Sequence, residues 1–264
     1  MTYKMIAIDV DGTLLNDGYE LTTATKQAVR AAYQAGAEIV LCTGRSPLNA
    51  LPIMEQLELS GTLITHNGAV TVQSHDRSIL QESAFAISEA QRFIEYARER
   101  GIHRDMCTTF GMYIESMTEA ANYMYGKYMM QPERVEDLLR FEANIVKFTV
   151  FGETELLDDV MAVWDHWGSG LAHIRSGDLF IDVMLPGVNK GTALEMLAKS
   201  RGVAREHIMA IGNYYNDVDM MTYAGLGVAM ANSPEGVKQM ADDVTFSNNE
   251  NGVAAAIVKH LFDL

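Results

Sequence analysis

Cysteine, tryptophan and proline are scarce in this chain: two, two and five among 264 residues. The two cysteines, Cys42 and Cys107, are too few for a disulfide framework, so a reducing compartment is expected. Cationic side chains are also in short supply, 20 Lys and Arg against 35 Asp and Glu, for a net charge of -15. Such a surface repels nucleic-acid phosphates and anionic membranes at long range, so neither is an expected partner. A small anionic substrate is still compatible, because a metal ion and a few cations invert the field locally. No apolar run approaches the ~20 residues of a membrane span. The first residues reach charge too soon to hold the apolar core of a signal peptide. The expected location is the cytoplasm. Apolar residues, by contrast, are plentiful: 48% hydrophobic against 21% charged, which excludes intrinsic disorder. The length suits one large domain or two smaller ones.

The organisation is a strand–helix alternation. Short apolar strands are expected at 4–10, 37–42 and 62–65, with helices at 22–35 and from Pro47 to about 56. Ser46-Pro47 suits an N-cap followed by proline in the first helical position. In the 22–35 helix, Ala28, Val29, Ala32 and Tyr33 share a face, and Gly36 is placed to end it. The rhythm returns late, with strands at 207–211 and 226–229 and helices at 191–201, 217–223, 234–241 and 252–262. Strands separated by such helices make βαβ units and a parallel sheet.

The middle reads differently. Helices are expected at 88–100, 117–129 and 153–167, the first with Ser88 and Gln91 spaced as a capping box. Strands are expected at 112–115, 144–151 and 179–184. In the last, Phe180, Asp182 and Met184 alternate with Ile181, Val183 and Leu185. The fold expected is therefore α/β: a doubly wound, Rossmann-like parallel-sheet core, discontinuous over 1–83 and 187–264, with an inserted α+β cap domain at 84–186.

Asp9-Val10-Asp11-Gly12-Thr13 follows the first strand directly. Ligands in open α/β sheets gather at the carboxyl ends of strands. Two carboxylates so close repel unless a cation or a shared proton separates them, and oxygen ligation points to a hard ion such as Mg²⁺. An acidic turn or a helix N-cap is the plain alternative. Thr43-Gly44-Arg45 follows the second strand, where a hydroxyl and backbone amides suit phosphate oxygens; an ordinary turn would look the same. Lys190 opens a helix against the helix dipole, which calls for a nearby anion unless the lysine is simply solvated. Gly212-Asn213-Tyr214-Tyr215-Asn216-Asp217 returns oxygen ligands to the same edge. Together these elements bring carboxylates, a hydroxyl and a cation to one rim of the sheet.

With these residues in place, the chain resembles the haloacid dehalogenase-like superfamily, Cof-type subfamily of Mg²⁺-dependent phosphatases. The resemblance is carried by Asp9-Val10-Asp11-Gly12-Thr13, Thr43-Gly44-Arg45, Asn67-Gly68-Ala69, Asn189-Lys190-Gly191 and Asn216-Asp217-Val218-Asp219-Met220, and covers essentially the whole chain. It implies that Asp9 is the nucleophile forming an aspartyl-phosphate. It implies that Asp11 protonates the leaving oxygen, then activates water, and ligates Mg²⁺ through its backbone carbonyl. Thr43, Lys190 and the amides of Val10 and Gly44 would hold the phosphoryl group, with Asn216 nearby. The implied metal set is Asp9, Asp11, Asn213 and Asp217.

One departure matters. The family usually has aspartate where this chain has Asn213. An amide oxygen coordinates Mg²⁺ without a full charge, so weaker metal binding is expected unless Asp217 compensates. The expected activity is hydrolysis of a small phosphorylated metabolite, sugar phosphates leading. The alternatives are a weakened or inactive phospho-ligand binding protein, because of Asn213, and a phosphomutase. Monomer and homo-oligomer are not distinguished. His66 is expected as a hydrogen-bonded turn residue, Trp164 and Trp167 as packing, and Cys42 as core. For Arg45, substrate contact and a structural ion pair both stand.

Overall fold

The computed structural model describes residues 3–127 and 130–262. The chain divides into two compact units, Met1–Gln81 with Asn189–Leu264, and Glu82–Val188. The first unit opens with β1 (Met5–Asp9), α1 (Thr23–Gln34), β2 (Glu38–Cys42), α2 (Pro47–Leu57), β3 (Thr62–Thr65), β4 (Val70–Gln73) and β5 (Ile79–Glu82). The second supplies α3 (Gln91–Glu99), β6 (His103–Cys107), β7 (Met112–Ile114), α4 (Glu119–Lys127), β8 (Glu133–Arg134), β9 (Lys147–Phe151), α5 (Thr154–Trp164), β10 (Ala172–Gly177) and β11 (Phe180–Met184). The first resumes with α6 (Lys190–Arg201), β12 (Ile208–Gly212), α7 (Val218–Tyr223), β13 (Leu226–Ala229), α8 (Glu235–Lys238), β14 (Asp243–Val244) and α9 (Gly252–Leu261).

The sheet of the first unit runs β14-β13-β12-β1-β2-β3-β4-β5. From β14 to β3 its neighbours are parallel, and β4 turns back antiparallel. Strands covered on both faces become continuous apolar runs, and Met-Ile-Ala-Ile-Asp of β1 is buried throughout. One face packs Met5, Ala7, Val40 and Ala210 against Ala193, Leu194 and Leu197 of α6 and Met220 and Met221 of α7. Each fully buried Val, Leu or Met among these contributes about 1.5–3 kcal/mol before entropy is counted. The chain leaves β1 for β2 on one side, while β12 lies on the other. The sheet therefore has its switch point at the carboxyl end of β1, where α/β crevices form.

The second unit is built on the sheet β10-β11-β9-β6-β7-β8, antiparallel except for the β7–β8 pair. Alternation along each strand gives it two faces. Met106, Phe148, Val150, Ile181 and Val183 pack under α3 and α5 with Phe93, Ile94, Leu157 and Trp164. The intervening residues Asp105, Thr149 and Asp182 align across β6, β9 and β11. Trp164 lies edge-on to Phe93 with ring centroids 4.8 Å apart, and Trp167 tilts over the same ring.

Local details correct several expectations. Thr22 does cap α1, accepting from the Thr25 amide at 3.2 Å, but Tyr33 is 40% exposed, on the edge of the buried face. Ser46 bonds Asn49 Oδ1 rather than a helix amide. The proposed Ser88–Gln91 box is displaced by two residues: the Glu89 carboxylate accepts from the Ala86 amide at 3.0 Å, and a 3₁₀ turn at Ile87–Ala90 precedes α3. The 117–129 helix is observed as Glu119–Lys127; residues 128 and 129 lie outside those described.

Candidate active site

Strand register sets the site. Asp9 pairs with Cys42, Cys42 with Ile64, and Gly212 with Ala229. The segments after β1, β2, β3 and β12 thus leave the sheet at one level. All the residues singled out above that carry phosphate-directed chemistry lie in the first unit.

The centre is a cation held by two carboxylates. Lys190 Nζ donates to Asp9 Oδ1 at 2.7 Å and to Asp217 Oδ1 at 2.5 Å, and all three side chains are buried. Asn189 caps α6 by accepting from the Thr192 amide at 2.7 Å, and Thr192 returns a bond at 3.2 Å. This closed box fixes where the Lys190 side chain begins. Burial first, and the Asp217 charge second, push Asp9 up to about 7, against the pull of Lys190. Burial alone would lower Lys190; the two carboxylates outweigh it, and its pKa is raised. Asp217 has both oxygens engaged, since Oδ2 accepts from the amides of Asn213 and Tyr214 at 2.9 and 3.0 Å.

Asp11 is held from the other side. Arg45 Nε and Nη2 donate to its two oxygens at 2.9 and 2.6 Å. A fork-to-fork pair of this kind fixes both the position and the plane of the carboxylate. Of the two roles open to Arg45, the ion pair is present.

Between these pairs lies the Asn213 carboxamide. Its Nδ2 donates to Asp9 Oδ2 at 3.1 Å and reaches the Asp11 carbonyl oxygen and Thr13 Oγ1, each at 3.2 Å. Gly12 makes the approach possible: its φ is +75°, and a Cβ there would sit 2.5 Å from the end of the Asn213 carboxamide. Among the described residues no three His, Cys, Asp or Glu side chains converge as a metal site. The converging set here is mixed: a carboxylate, a main-chain carbonyl and an amide.

Thr43 is buried at the end of β2, its hydroxyl accepting from the Arg45 amide at 3.1 Å. Val10 and Gly44 directly follow the strand residues Asp9 and Cys42 with Thr43. Asn216 Nδ2 donates to Asn67 Oδ1 at 3.0 Å, so the β3 and β12 loops are tied together. Gly68, at φ +102°, packs so tightly on the start of α6 that a Cβ would lie 2.2 Å from the Asn189 carbonyl. His66 is buried in the same turn, its amide bonded to the Arg45 carbonyl at 2.9 Å. Cys42 is fully buried, and burial drives its thiol pKa up, which fits a core residue.

Two side chains with a part in the site were not singled out from the sequence. Asn67 was seen only as a motif, yet it meets Asn216. Asn232 donates to the Gly12 carbonyl at 2.9 Å and also accepts from the Asn248 amide at 3.1 Å. Asn232 lies just beyond β13, so the rule that strand ends carry ligands would have found it.

Residues 6–257 match the family model described as haloacid dehalogenase-like hydrolase. The chain belongs to the haloacid dehalogenase-like hydrolases. It is similar to the 5-amino-6-(5-phospho-D-ribitylamino)uracil phosphatase YcsE of Bacillus subtilis, with 31% identity over 96% of this chain and 94% of that protein. It is also similar to the pyridoxal phosphate phosphatase YbhA of Escherichia coli, with 27% identity over 99% of this chain and 100% of the other. Among solved structures it is similar to a haloacid dehalogenase-like hydrolase from Bacteroides thetaiotaomicron. That match has TM-score 0.87 and 27% identity over 97% and 99% of the two chains. The protein is a phosphatase of this family, with an α/β core and an inserted cap, and its reaction is hydrolysis of phosphate monoesters. Among the described residues no helix is long and apolar enough to cross a membrane.

Proposed function

We propose that this haloacid dehalogenase-like phosphatase hydrolyses a small phosphorylated metabolite, a sugar phosphate or a related compound, in the cytoplasm, through an aspartyl-phosphate on Asp9 and with Mg²⁺. The observation that carries the reading is the buried Asp9–Lys190–Asp217 trio beside Asp11, itself held by Arg45. A buried carboxylate facing other oxygens is costly in a purely structural role.

The residues fit a hard divalent ion. The Asp9 carboxylate, the Asp11 main-chain carbonyl and the Asn213 carboxamide, one end of which lies 3.1–3.2 Å from the other two, all offer oxygen, the donor type such an ion takes. Asp9, the Asp11 carbonyl and Asn213 would hold it. When bound, Mg²⁺ supplies positive charge between the carboxylate and the phosphate oxygens. Asp217 supports this set indirectly, by fixing the Asn213 and Tyr214 amides and Lys190.

The chain's own groups then divide the work. Lys190, the Thr43 hydroxyl, the Val10 and Gly44 amides and Asn216 bind the phosphoryl oxygens and align the ester. A carboxylate oxygen of Asp9 attacks phosphorus, and the bond from phosphorus to the leaving oxygen breaks. Asp11, having taken up a proton from solvent as one of its oxygens leaves Arg45, gives that proton to the leaving group. A water then attacks phosphorus and passes a proton to Asp11, the bond to Asp9 breaks, and inorganic phosphate leaves. Choice of substrate is assigned to Glu82–Val188, because the groups gathered in the first unit are directed at phosphate alone.

The test is direct. With Mg²⁺ the protein should hydrolyse p-nitrophenyl phosphate, and EDTA should abolish turnover. Ligand binding without turnover across several metals and monoesters would instead identify a phospho-ligand binding protein. Isomerised sugar phosphate in place of free phosphate would identify a mutase.

A further inference from the structure

The turn that carries Asp11 is held from outside itself. Gly12, at φ +75°, has no side chain to restrict its torsions. The peptide unit that follows it is bonded only loosely within the turn: the Thr13 amide meets the Val10 carbonyl at 3.4 Å, beyond the usual range. At its other end the same peptide is gripped firmly, because the Gly12 carbonyl accepts from Asn232 Nδ2 at 2.9 Å. Asn232 Oδ1 in turn accepts from the main-chain amide of Asn248 at 3.1 Å. One end of this carboxamide meets a carbonyl and the other an N–H, so its sense is fixed. Asn248 is buried, and its own Nδ2 donates to the Leu15 carbonyl at 3.1 Å and to Asp17 Oδ1 at 3.0 Å. A strut thus leaves the loop at Gly12, passes through two asparagines and returns to it at Leu15 and Asp17, all within the first unit. Asn232 itself is exposed, so packing does not account for it.

We propose that Asn232 is a positioning residue for Asp11. Carried on Asn248, it fixes the Gly12 peptide, and with it the place from which the Asp11 carboxyl gives its proton to the leaving oxygen. This rests on the reading of Asp11 as the acid. Asp11 has two holds of different kinds. Arg45 fixes its carboxylate, whereas Asn232 fixes the main chain beside it. Once a carboxylate oxygen has left Arg45, the aim of the side chain depends more heavily on the main chain. Asp9 needs no such strut, because it belongs to β1, where pairing with Cys42 sets its register. Loss of Asn232 should therefore spare the attacking group and misplace the proton donor, and a misplacement of about 1 Å costs about 10²-fold.

The experiment uses the whole protein with Mg²⁺ and two aryl monoesters, p-nitrophenyl phosphate and phenyl phosphate. Phenolate is the more basic leaving group and depends more on a donated proton. Asn232→Ala should lower kcat/KM about 10–100-fold on phenyl phosphate but about threefold or less on p-nitrophenyl phosphate. Its melting temperature should fall by no more than about 2–4 °C, as for one exposed hydrogen-bonding side chain. Asn232→Asp keeps an acceptor for the Asn248 amide but sets a carboxylate against the Gly12 carbonyl. It should melt close to wild type and show the same split between the esters. Asp11→Asn sets the scale and should show the split more strongly. Equal losses on both esters, or no loss, in the two Asn232 variants overturn the proposal and leave Asn232 as a tether for the loop. If Asp11→Asn keeps the split in that case, only the strut is wrong. If Asp11→Asn shows no split either, the reading of Asp11 as the acid falls with it.

Discussion

Each unit buries a set of charged and polar side chains, and the two sets are built on opposite principles. In Glu82–Val188 the network closes on itself. Tyr125 OH donates to Asp105 at 3.0 Å and meets His103 Nε2 at 2.7 Å. Asp182 takes the Thr149 hydroxyl at 2.8 Å and lies 3.3 Å from Lys147 Nζ. Here acceptors face donors. In the first unit Lys190 and Arg45 are likewise paired, but Asp9 and Asp217 share the one lysine, and Asp217 and Asp11 both press on the charge of Asp9. A buried polar network in which acceptors meet donors specifies a fold; one that leaves acceptors crowded together asks for something from outside. That difference separates scaffold from chemistry without reference to burial, which is similar in both.

The largest effect that would break the comparison is at Asp9. Asp9→Asn should reduce p-nitrophenyl phosphate hydrolysis by about 10³-fold or more, and near-normal turnover would remove Asp9 as nucleophile. The same change should raise the melting temperature in EDTA. Because its folded pKa is pushed up to about 7, Asp9 lends stability when protonated. That contribution is complete below about pH 4 and is lost as pH rises through about 7. The gain from Asp9→Asn should therefore be seen in calorimetry at pH 8 and be small at pH 5.

Next come the two buried lysines. Lys190→Met leaves Asp9 and Asp217 without their cation and should cost about 3–5 kcal/mol, measured by urea unfolding. Lys147→Met strips Asp182 of its buried cation but leaves it the Thr149 hydroxyl, and should cost about 3 kcal/mol, the lower end of that range. Equal losses would mean that the two networks are alike in kind. The smallest effect is expected at Tyr125→Phe, at about 1–2 kcal/mol with an unchanged kcat on p-nitrophenyl phosphate. Burial holds Asp105 up at about 6, with Lys147 and then Tyr125 pulling it down. Removing the hydroxyl lets that pKa rise further, so the loss should be larger at pH 8 than at pH 5. A change in kcat would move Tyr125 from the scaffold into the reaction.

The core was legible because its signals were local. Apolar runs such as Met-Ile-Ala-Ile, the Thr22 cap and glycines beside strand ends gave the βαβ order, and the motifs at strand ends gave the site. The cap strands were harder. β6, His-Arg-Asp-Met-Cys, and β10, Ala-His-Ile-Arg-Ser-Gly, are polar on one face because that face carries the closed network or meets solvent. Pattern reading discounts such strands. β5 is mostly exposed and lacks an apolar stripe. In the site, the grip of Arg45 on Asp11 spans 34 residues and that of Lys190 on Asp9 spans 181. Contacts at that range follow from sheet order, which no single motif encodes.

The order of synthesis follows from that span. β1 leaves the ribosome early but gains its β12 neighbour only after the whole of Glu82–Val188 has been made. The inserted unit is contiguous and has its own apolar core, so it is the part able to fold first during translation. Until α6 and β12 arrive, the nascent chain carries Asp9 with neither Lys190 nor Asp217 beside it. The chemistry is therefore the last thing this polypeptide acquires, and an interrupted product would hold a finished cap and no nucleophile in working order.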